Sequence, residues 1–267
     1  MKVSIITVSF NSADTIEDTI KSVIDQTHPN IEYIIIDGGS NDGTLEIINA
    51  YSDWIHYSIS ESDEGIYDAM NKGIQMATGD IICILNSDDF YVNSDVISQV
   101  VSHFKRTKAD SIYGDIQYVG QQDTNKIIRN WVSGHYTKQR FLFGWMPPHP
   151  AFFVRRHVYK SLGYFNTKLK TSADYELMLR FLFKHEISSH YLPELLVKMR
   201  AGGASNSSLK KRIKANLEDR YAWKLNGLRP YFFTPLLKPL RKVNQYFSYR
   251  TIPQNSGPSN KREKQYV

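Results

Sequence analysis

Ile81-Ile82-Cys83-Ile84-Leu85-Asn86-Ser87-Asp88-Asp89 decides the fold of this 267-residue chain. Five apolar residues without polar alternation make a strand covered on both faces, as in sheets sandwiched between helices. The run breaks into four polar residues, two of them adjacent carboxylates. Upstream, residues 3–10 read as a strand and Ser12 to Asp25 as a helix, with Ile16, Ile20, Val23 and Ile24 at helical spacing. Residues 31–36 form a second strand, a helix runs from Thr44 to about Tyr51, and residues 54–60 give a third strand. A helix spans Ile66 to Met76, with Gly79 as its stop. Strand and helix thus alternate up to residue 85, which predicts an α/β fold with a mostly parallel central sheet flanked by helices.

In open sheets of this kind ligands bind beyond the carboxyl ends of the strands. That rule selects three loops: the one after Val8, the Gly-rich turn Asp37-Gly38-Gly39-Ser40-Asn41-Asp42-Gly43-Thr44, and Asn86 to Asp89. Paired carboxylates repel one another, and a hard divalent cation relieves that cost. The plainer alternative for Asn86–Asp89 is a turn with a helix N-cap. Asp37 is placed to accept a hydrogen bond from a ring N–H or a ribose hydroxyl, or else merely caps its own turn. Its loop lacks the Lys of a P-loop and the GxGxxG order of a dinucleotide site.

Beyond residue 110 the pattern loosens. Residues 111–119 and 126–132 read as a hairpin, residues 141–154 are aromatic and Pro-rich, and residues 173–184 read as a strongly amphipathic helix. Asp174 lies near the start of that helix, where a carboxylate also favours the helix dipole. His149 sits between two prolines and is read as structural before ligand-binding. Residues 200–208 read as a flexible loop, from which Arg200 is placed to clamp a diphosphate or to stand solvated.

Hydrophobic residues make up 41% and charged residues 22%, which excludes a disordered chain or a fibre. One cysteine, Cys83, excludes a disulfide framework and a Cys-based zinc site. The first apolar run is too short for a secretory signal, and no stretch approaches the ~20 apolar residues of a membrane span. The formal charge of +6 is uneven: residues 209–267 carry 14 Lys and Arg against three acids, whereas the rest is net acidic. A basic tail on an acidic body suggests an anionic surface as partner.

Five blocks occur in order: Ser4 to Asn11, the strand ending in Asp37 to Thr44, Asp63-Glu-Gly-Ile-Tyr-Asp-Ala-Met-Asn-Lys-Gly73, Ala77-Thr-Gly-Asp80, and Leu85 to Asp89. Together with Pro148-His149-Pro150, Asp174-Tyr-Glu-Leu and Arg200 to Ser205, they resemble the family-2 inverting glycosyltransferases of GT-A fold. The resemblance implies a catalytic domain over residues 1–208, with a nucleotide-binding half (1–110) and an acceptor half (111–208). A basic amphipathic helical and aromatic extension (209–250) and a disordered tail (251–267) follow.

The resemblance also implies roles. Asp37 is the uracil- or ribose-binding carboxylate, Ser9 and Asn11 lie beside the nucleotide, and Asp63 lies near the base. Asp88 and Asp89 hold Mn²⁺ or Mg²⁺. Asp174 is the general base of a single displacement with inversion. Asn86 stands where the family's first metal-motif Asp usually stands, so it is assigned to the ribose. Ala173 replaces the usual acidic neighbour of the base, and Glu64 stands where Lys is more common. The implied donor is a UDP-sugar, and the acceptor a saccharide carried on a polyprenyl diphosphate during cell-surface polysaccharide (O-antigen or capsule) assembly. The place is the cytoplasm, at the inner face of the membrane. In the tail, Lys210, Arg220 and Lys224 interleave with Leu217, Tyr221 and Trp223, a mixture suited to interfacial docking or, equally, to packing the apolar residues on the catalytic domain with the charges in water. A nucleotidyltransferase is the runner-up, although residues 8–14 lack its Gly-rich basic loop. A nucleic-acid-binding module fits the tail but not the acidic strand-end loops, so nucleic acid is not expected as a partner.

Overall fold

A computed structural model describes residues 1–202, 209–234, 237, 238 and 245. The expected Gly203–Ser208 loop, most of residues 235–250 and the 251–267 tail lie outside the described residues. In chain order the first elements are β1 (Val3–Ser9), α1 (Ile16–Ile24), β2 (Ile31–Asp37), α2 (Thr44–Ala50), β3 (Tyr57–Ser60), α3 (Ile66–Met76) and β4 (Ile81–Ile84). There follow β5 (Asp89–Tyr91), α4 (Val96–Thr107), β6 (Ser111–Val119), β7 (Ile127–Trp131), α5 (Lys138–Leu142), β8 (Phe152–Arg155), α6 (Arg156–Leu162), α7 (Ala173–Met178), β9 (Ser189–Arg200) and α8 (Leu209–Leu225).

Among the described residues the strands join one sheet, ordered β3-β2-β1-β4-β8-β6-β9-β5, with β7 paired to β6. The first four strands are parallel, as their alternation with helices requires. Beyond β4 the sheet is mixed: β8 runs antiparallel to both neighbours, β9 parallel to β6, and β5 antiparallel to β9. The β6–β7 pair is a hairpin, while α4 and α6–α7 still connect β5 to β6 and β8 to β9. The expected parallel sheet therefore holds for its first half, in an α/β architecture.

Side-chain alternation divides the core. Val3, Ile5, Tyr33, Ile35, Ile81 and Cys83 point to the face covered by α1 and α4. Ile6, Val8, Ile34, Ile36, Ile82 and Ile84 point to the face covered by α3, α6 and α7. A Cβ at Gly73 would stand 2.4 Å from the Ile6 side chain, so this glycine lets α3 lie directly on β1.

Three elements depart from the sequence reading. The first helix starts at Ile16, because Asn11 is left-handed (φ 48°) and Ser12 to Thr15 form a turn in which Ile16 N–H donates to the Ser12 carbonyl at 2.9 Å. The third strand starts at Tyr57, because Ser52–Trp54 form a 3₁₀ turn. Residues 173–184 are not an amphipathic helix but α7 followed by a π-helical turn over Leu179–Lys184, buried on nearly every side. Glu176 and Arg180 mimic a polar face in the sequence, yet they pair with each other inside, at 3.0 Å. No helix among the described residues is long and apolar enough to cross a membrane.

Candidate active site

β1, β2 and β4 end side by side, and their last residues build the first half of the site. Ser9 is the register partner of Asp37, and the Asp37 carboxylate, 1% exposed, is the hub of the turn that follows. It accepts hydrogen bonds from Ser9 Oγ (2.9 Å), the Gly39 and Ser40 amides (3.0 and 2.8 Å), Ser40 Oγ (2.5 Å) and Ser60 Oγ (2.7 Å). Burial works against its charge, but these donors outweigh burial and hold its pKa below the usual carboxylate value. Asn11 is likewise engaged: its side-chain Oδ1 accepts from the Asn41 backbone amide at 3.1 Å, and its backbone N–H donates to Ser40 Oγ at 2.8 Å. Ser9, Asn11 and Asp37 thus brace the two loops against each other.

Asp63 lies across the same turn. One carboxylate oxygen accepts from the Gly65 amide at 2.8 Å, and the other would stand 2.7 Å from any Cβ at Gly38. Gly38 leaves room for that approach, and a side chain there would displace the Asp63 carboxylate. Beside it is Phe10, 62% exposed although it directly follows a buried strand. An exposed ring next to two carboxylates at a strand end is a ready platform for a flat polar heterocycle. The sequence reading passed over Phe10; its signal is an aromatic in the first ligand-side loop.

The Asn86–Asp89 turn is built differently. Asn86 Nδ2 donates to Asp89 Oδ2 at 3.2 Å, while Asn86 Oδ1 and Asp89 Oδ1 are buried with no partner. Burial, with the Asp88 charge added, raises the Asp89 pKa well above the usual range; burial raises that of Asp88 as well. Two carboxylates short of donors, beside an unpaired amide oxygen, match the chemistry of a hard divalent cation. Asp89 has no exposed surface and Asp88 is partly exposed, so Asp88 is the carboxylate that an arriving cation would meet. No group of three or more His, Cys, Asp or Glu among the described residues is arranged to hold a metal. A cation held at this turn would need further oxygens from outside the chain, of the kind that phosphate and water supply.

Arg200 corrects an expectation. It is the last residue of β9 and 5% exposed, not on a loose loop. Its guanidinium donates to the carbonyls of Asp88 (3.1 Å) and Gln121 (3.2 Å), pairs with Asp18, and lies 5.0 Å from the Phe90 ring centroid. It fastens the Asp88 turn from behind.

The second half of the site comes from α7. Asp174 is its second residue and partly exposed, and Tyr67 Oη of α3 donates to Asp174 Oδ1 at 3.3 Å. Burial, reinforced by the Asp174 charge, keeps the Tyr67 phenol well above its usual pKa and so protonated. Burial lowers the His149 pKa, opposed by Asp174, which places a neutral imidazole near the carboxylate. Phe165 packs on both Tyr67 and His149. Tyr67 was not singled out in the sequence; it lies four residues after Asp63, on the helix that follows the Asp63 loop and reaches Asp174.

Residues 4–163 match the model of Glycosyl transferase family 2. The chain belongs to that family. Its relatives include a PGL/p-HBAD biosynthesis glycosyltransferase of Mycobacterium bovis, 28% identical over 80% of this chain and 83% of the relative. A glycosyltransferase of Mycobacterium tuberculosis is 34% identical over 67% and 68%. The putative teichuronic acid biosynthesis glycosyltransferase TuaG of Bacillus subtilis is 39% identical over 42% and 46%. Among solved structures, Staphylococcus aureus TarS 1–349 in complex with UDP-GlcNAc superposes with a TM-score of 0.67 at 17% identity, over 93% of this chain and 73% of that one. The mannosyltransferase PcManGT of Pyrobaculum calidifontis, in complex with GDP-Man and Mn²⁺, gives 0.62 at 18% identity, over 88% and 68%. These structural likenesses show a shared GT-A-like fold. As a family-2 member the protein is a glycosyltransferase, and the runner-up nucleotidyltransferase reading falls away.

Proposed function

We propose that the protein transfers a sugar from a UDP-sugar to a saccharide hydroxyl with inversion, with Asp174 as general base. The observation that carries this reading is the Tyr67–Asp174 contact, which sets the one partly exposed carboxylate of α7 against the helix that follows the Asp63 loop. Asp174 removes the acceptor proton. The freed oxygen attacks the anomeric carbon from the face opposite the diphosphate, and the bond from that carbon to the diphosphate oxygen breaks. Tyr67 holds the carboxylate through Oδ1 and leaves Oδ2 for the acceptor.

On the donor side, Phe10 stacks on the uracil, Asp63 accepts from the base, and Asn86 faces the ribose. Asp37, with its lone pairs engaged, shapes the turn that the base rests on. Asp88, with Asp89 behind it, holds Mn²⁺ or Mg²⁺; bound there, the cation would screen the charge of the departing diphosphate. The UDP-GlcNAc complex of TarS supports a UDP-sugar donor, and the M. bovis and B. subtilis relatives support a cell-envelope acceptor.

The C-terminal extension splits its roles. Ala222 and Trp223 are buried on the catalytic core. Leu217, Tyr221, Tyr231 and Phe232 (86% exposed) face outward among exposed Arg220, Lys224 and Arg229. That surface suits an anionic lipid bilayer, each basic residue contributing about 1 kcal/mol near it, and brings the enzyme to a lipid-linked acceptor.

A panel of UDP-GlcNAc, UDP-glucose, UDP-galactose and GDP-mannose, read by released nucleoside diphosphate with Mn²⁺ present, tests the reading. Turnover of a UDP-sugar is expected, and Asp174→Asn should lower kcat by about 10²–10⁴ with UDP affinity unchanged. Wild-type turnover in that variant would remove Asp174 from the mechanism.

A further inference from the structure

Glu218 belongs to α8, beyond the 4–163 span of the family match. Its Oε2 accepts the backbone N–H groups of Lys170 (3.1 Å), Thr171 (2.8 Å) and Ser172 (3.1 Å), and Thr171 Oγ1 at 2.8 Å. Ser172 Oγ returns a bond to the Ala215 carbonyl of the same helix at 3.2 Å. Three successive amides aimed at one carboxylate oxygen form a nest, which fixes the backbone that carries them. That backbone runs into Ala173 and Asp174.

α8 also grips the chain after Asp174. Trp223 Nε1 donates to Tyr175 Oη at 2.9 Å, and Asn226 Nδ2 donates to Glu176 Oε1 at 3.0 Å. Lys238, paired with Asp219 at 2.8 Å, stands 3.9 Å from the Tyr175 ring centroid. Asp174 is therefore bracketed on both sides by the C-terminal extension.

We propose that α8 is part of the catalytic unit and that Glu218 is a positioning residue, holding residues 170–172 so that the Asp174 carboxylate meets the acceptor. This rests on Asp174 being the general base. Misplacing a reacting group by about 1 Å can cost about 10²-fold in rate, so Glu218→Ala is expected to lower kcat 10- to 100-fold, with the KM for the donor and calorimetric UDP affinity held. The probe reaction is turnover of whichever nucleotide-sugar the panel selects. Glu218→Gln keeps an acceptor oxygen for the amides and should regain most of the lost rate. Hydrogen exchange should quicken at the amides of Thr171 to Asp174 in the Ala variant and much less in the Gln variant. A folded Glu218→Ala protein with wild-type kcat would overturn the proposal while leaving Asp174 intact. A loss of UDP affinity equal to the loss of kcat would also overturn it, since that marks general damage. Wild-type turnover in Asp174→Asn would instead overturn the base reading, and this proposal with it.

Discussion

Two acidic turns flank β1, one after β2 and one after β4, and they end in opposite electrostatic states. Asp37 is nearly inaccessible yet comfortable as an anion, because two amides and three hydroxyls of its own chain surround it. Asp88 and Asp89 have no such escort. Their pKa values rise, and two neighbouring oxygens are buried without partners. Residue type and strand-end position are the same in both; the number of donors nearby differs. The Asp37 turn is complete as folded, and the Asn86–Asp89 turn leaves Asn86 Oδ1 and Asp89 Oδ1 without partners, which is where the proposed cation would act.

The largest effect expected from that contrast is in activity. Asp88→Asn should lower cation-dependent turnover by at least about 100-fold with little change in thermal stability; retained Mn²⁺ dependence would show that the two turns do not differ as described. Asp37→Asn should do the reverse to stability. Its five donors lose a charged acceptor, at a cost of about 2–4 kcal/mol, or on the order of 10 °C in Tm, and a melting curve within 2 °C of wild type would contradict the Asp37 network.

Acid titration of the cation-free protein separates the turns further. Asp37 has a lowered folded pKa, so its stabilisation is full above the unfolded value of about 3.9 and is lost as pH falls through the lower folded value. Glu32, held to about 2 against burial by Lys2, Ser4 and Thr78, behaves in the same way at the opposite end of the sheet. Asp88 and Asp89 have raised values, so their ionisation costs stability as pH rises above the ordinary carboxylate range. Melts of Asp37→Asn should therefore depend less on pH below 4, and a slope equal to wild type would count against it. The smallest effect belongs to Asp89→Asn, which should gain about 1 kcal/mol near pH 7 without cation, because burial penalises this carboxylate more than its hydrogen bond from Asn86 Nδ2 offsets. A loss of stability there would mean that the Asn86 hydrogen bond outweighs the cost of burying Asp89.

The parallel half of the sheet was legible because its signals are local. The alternation of Ile5 with Ile6, or of Cys83 with Ile84, assigns residues to opposite faces, and each strand ends where polar residues begin. Asp37 and Asp88 were singled out from their place after a strand and Asp174 from its place at a helix start, whereas Asp63 came only from the family resemblance. Partners distant in sequence were not legible. Arg200 looked mobile beside glycines, whereas Asp18, Asp88 and Gln121 hold it. Glu176 and Arg180 looked like an outer face until paired inside. For the tail, membrane docking and packing on the catalytic domain were equal alternatives in the sequence; one side of α8 packs on α7 and the other carries exposed aromatic and basic residues.

Calorimetric binding of UDP with and without Mn²⁺, to wild type and to Asp88→Asn, goes to the heart of the proposed donor site. Mn²⁺ should tighten UDP binding to the wild-type protein at least tenfold, and Asp88→Asn should abolish that gain while keeping the cation-free affinity. An undiminished Mn²⁺ gain in Asp88→Asn would contradict the assignment of the Asn86–Asp89 turn as the place where cation and diphosphate meet.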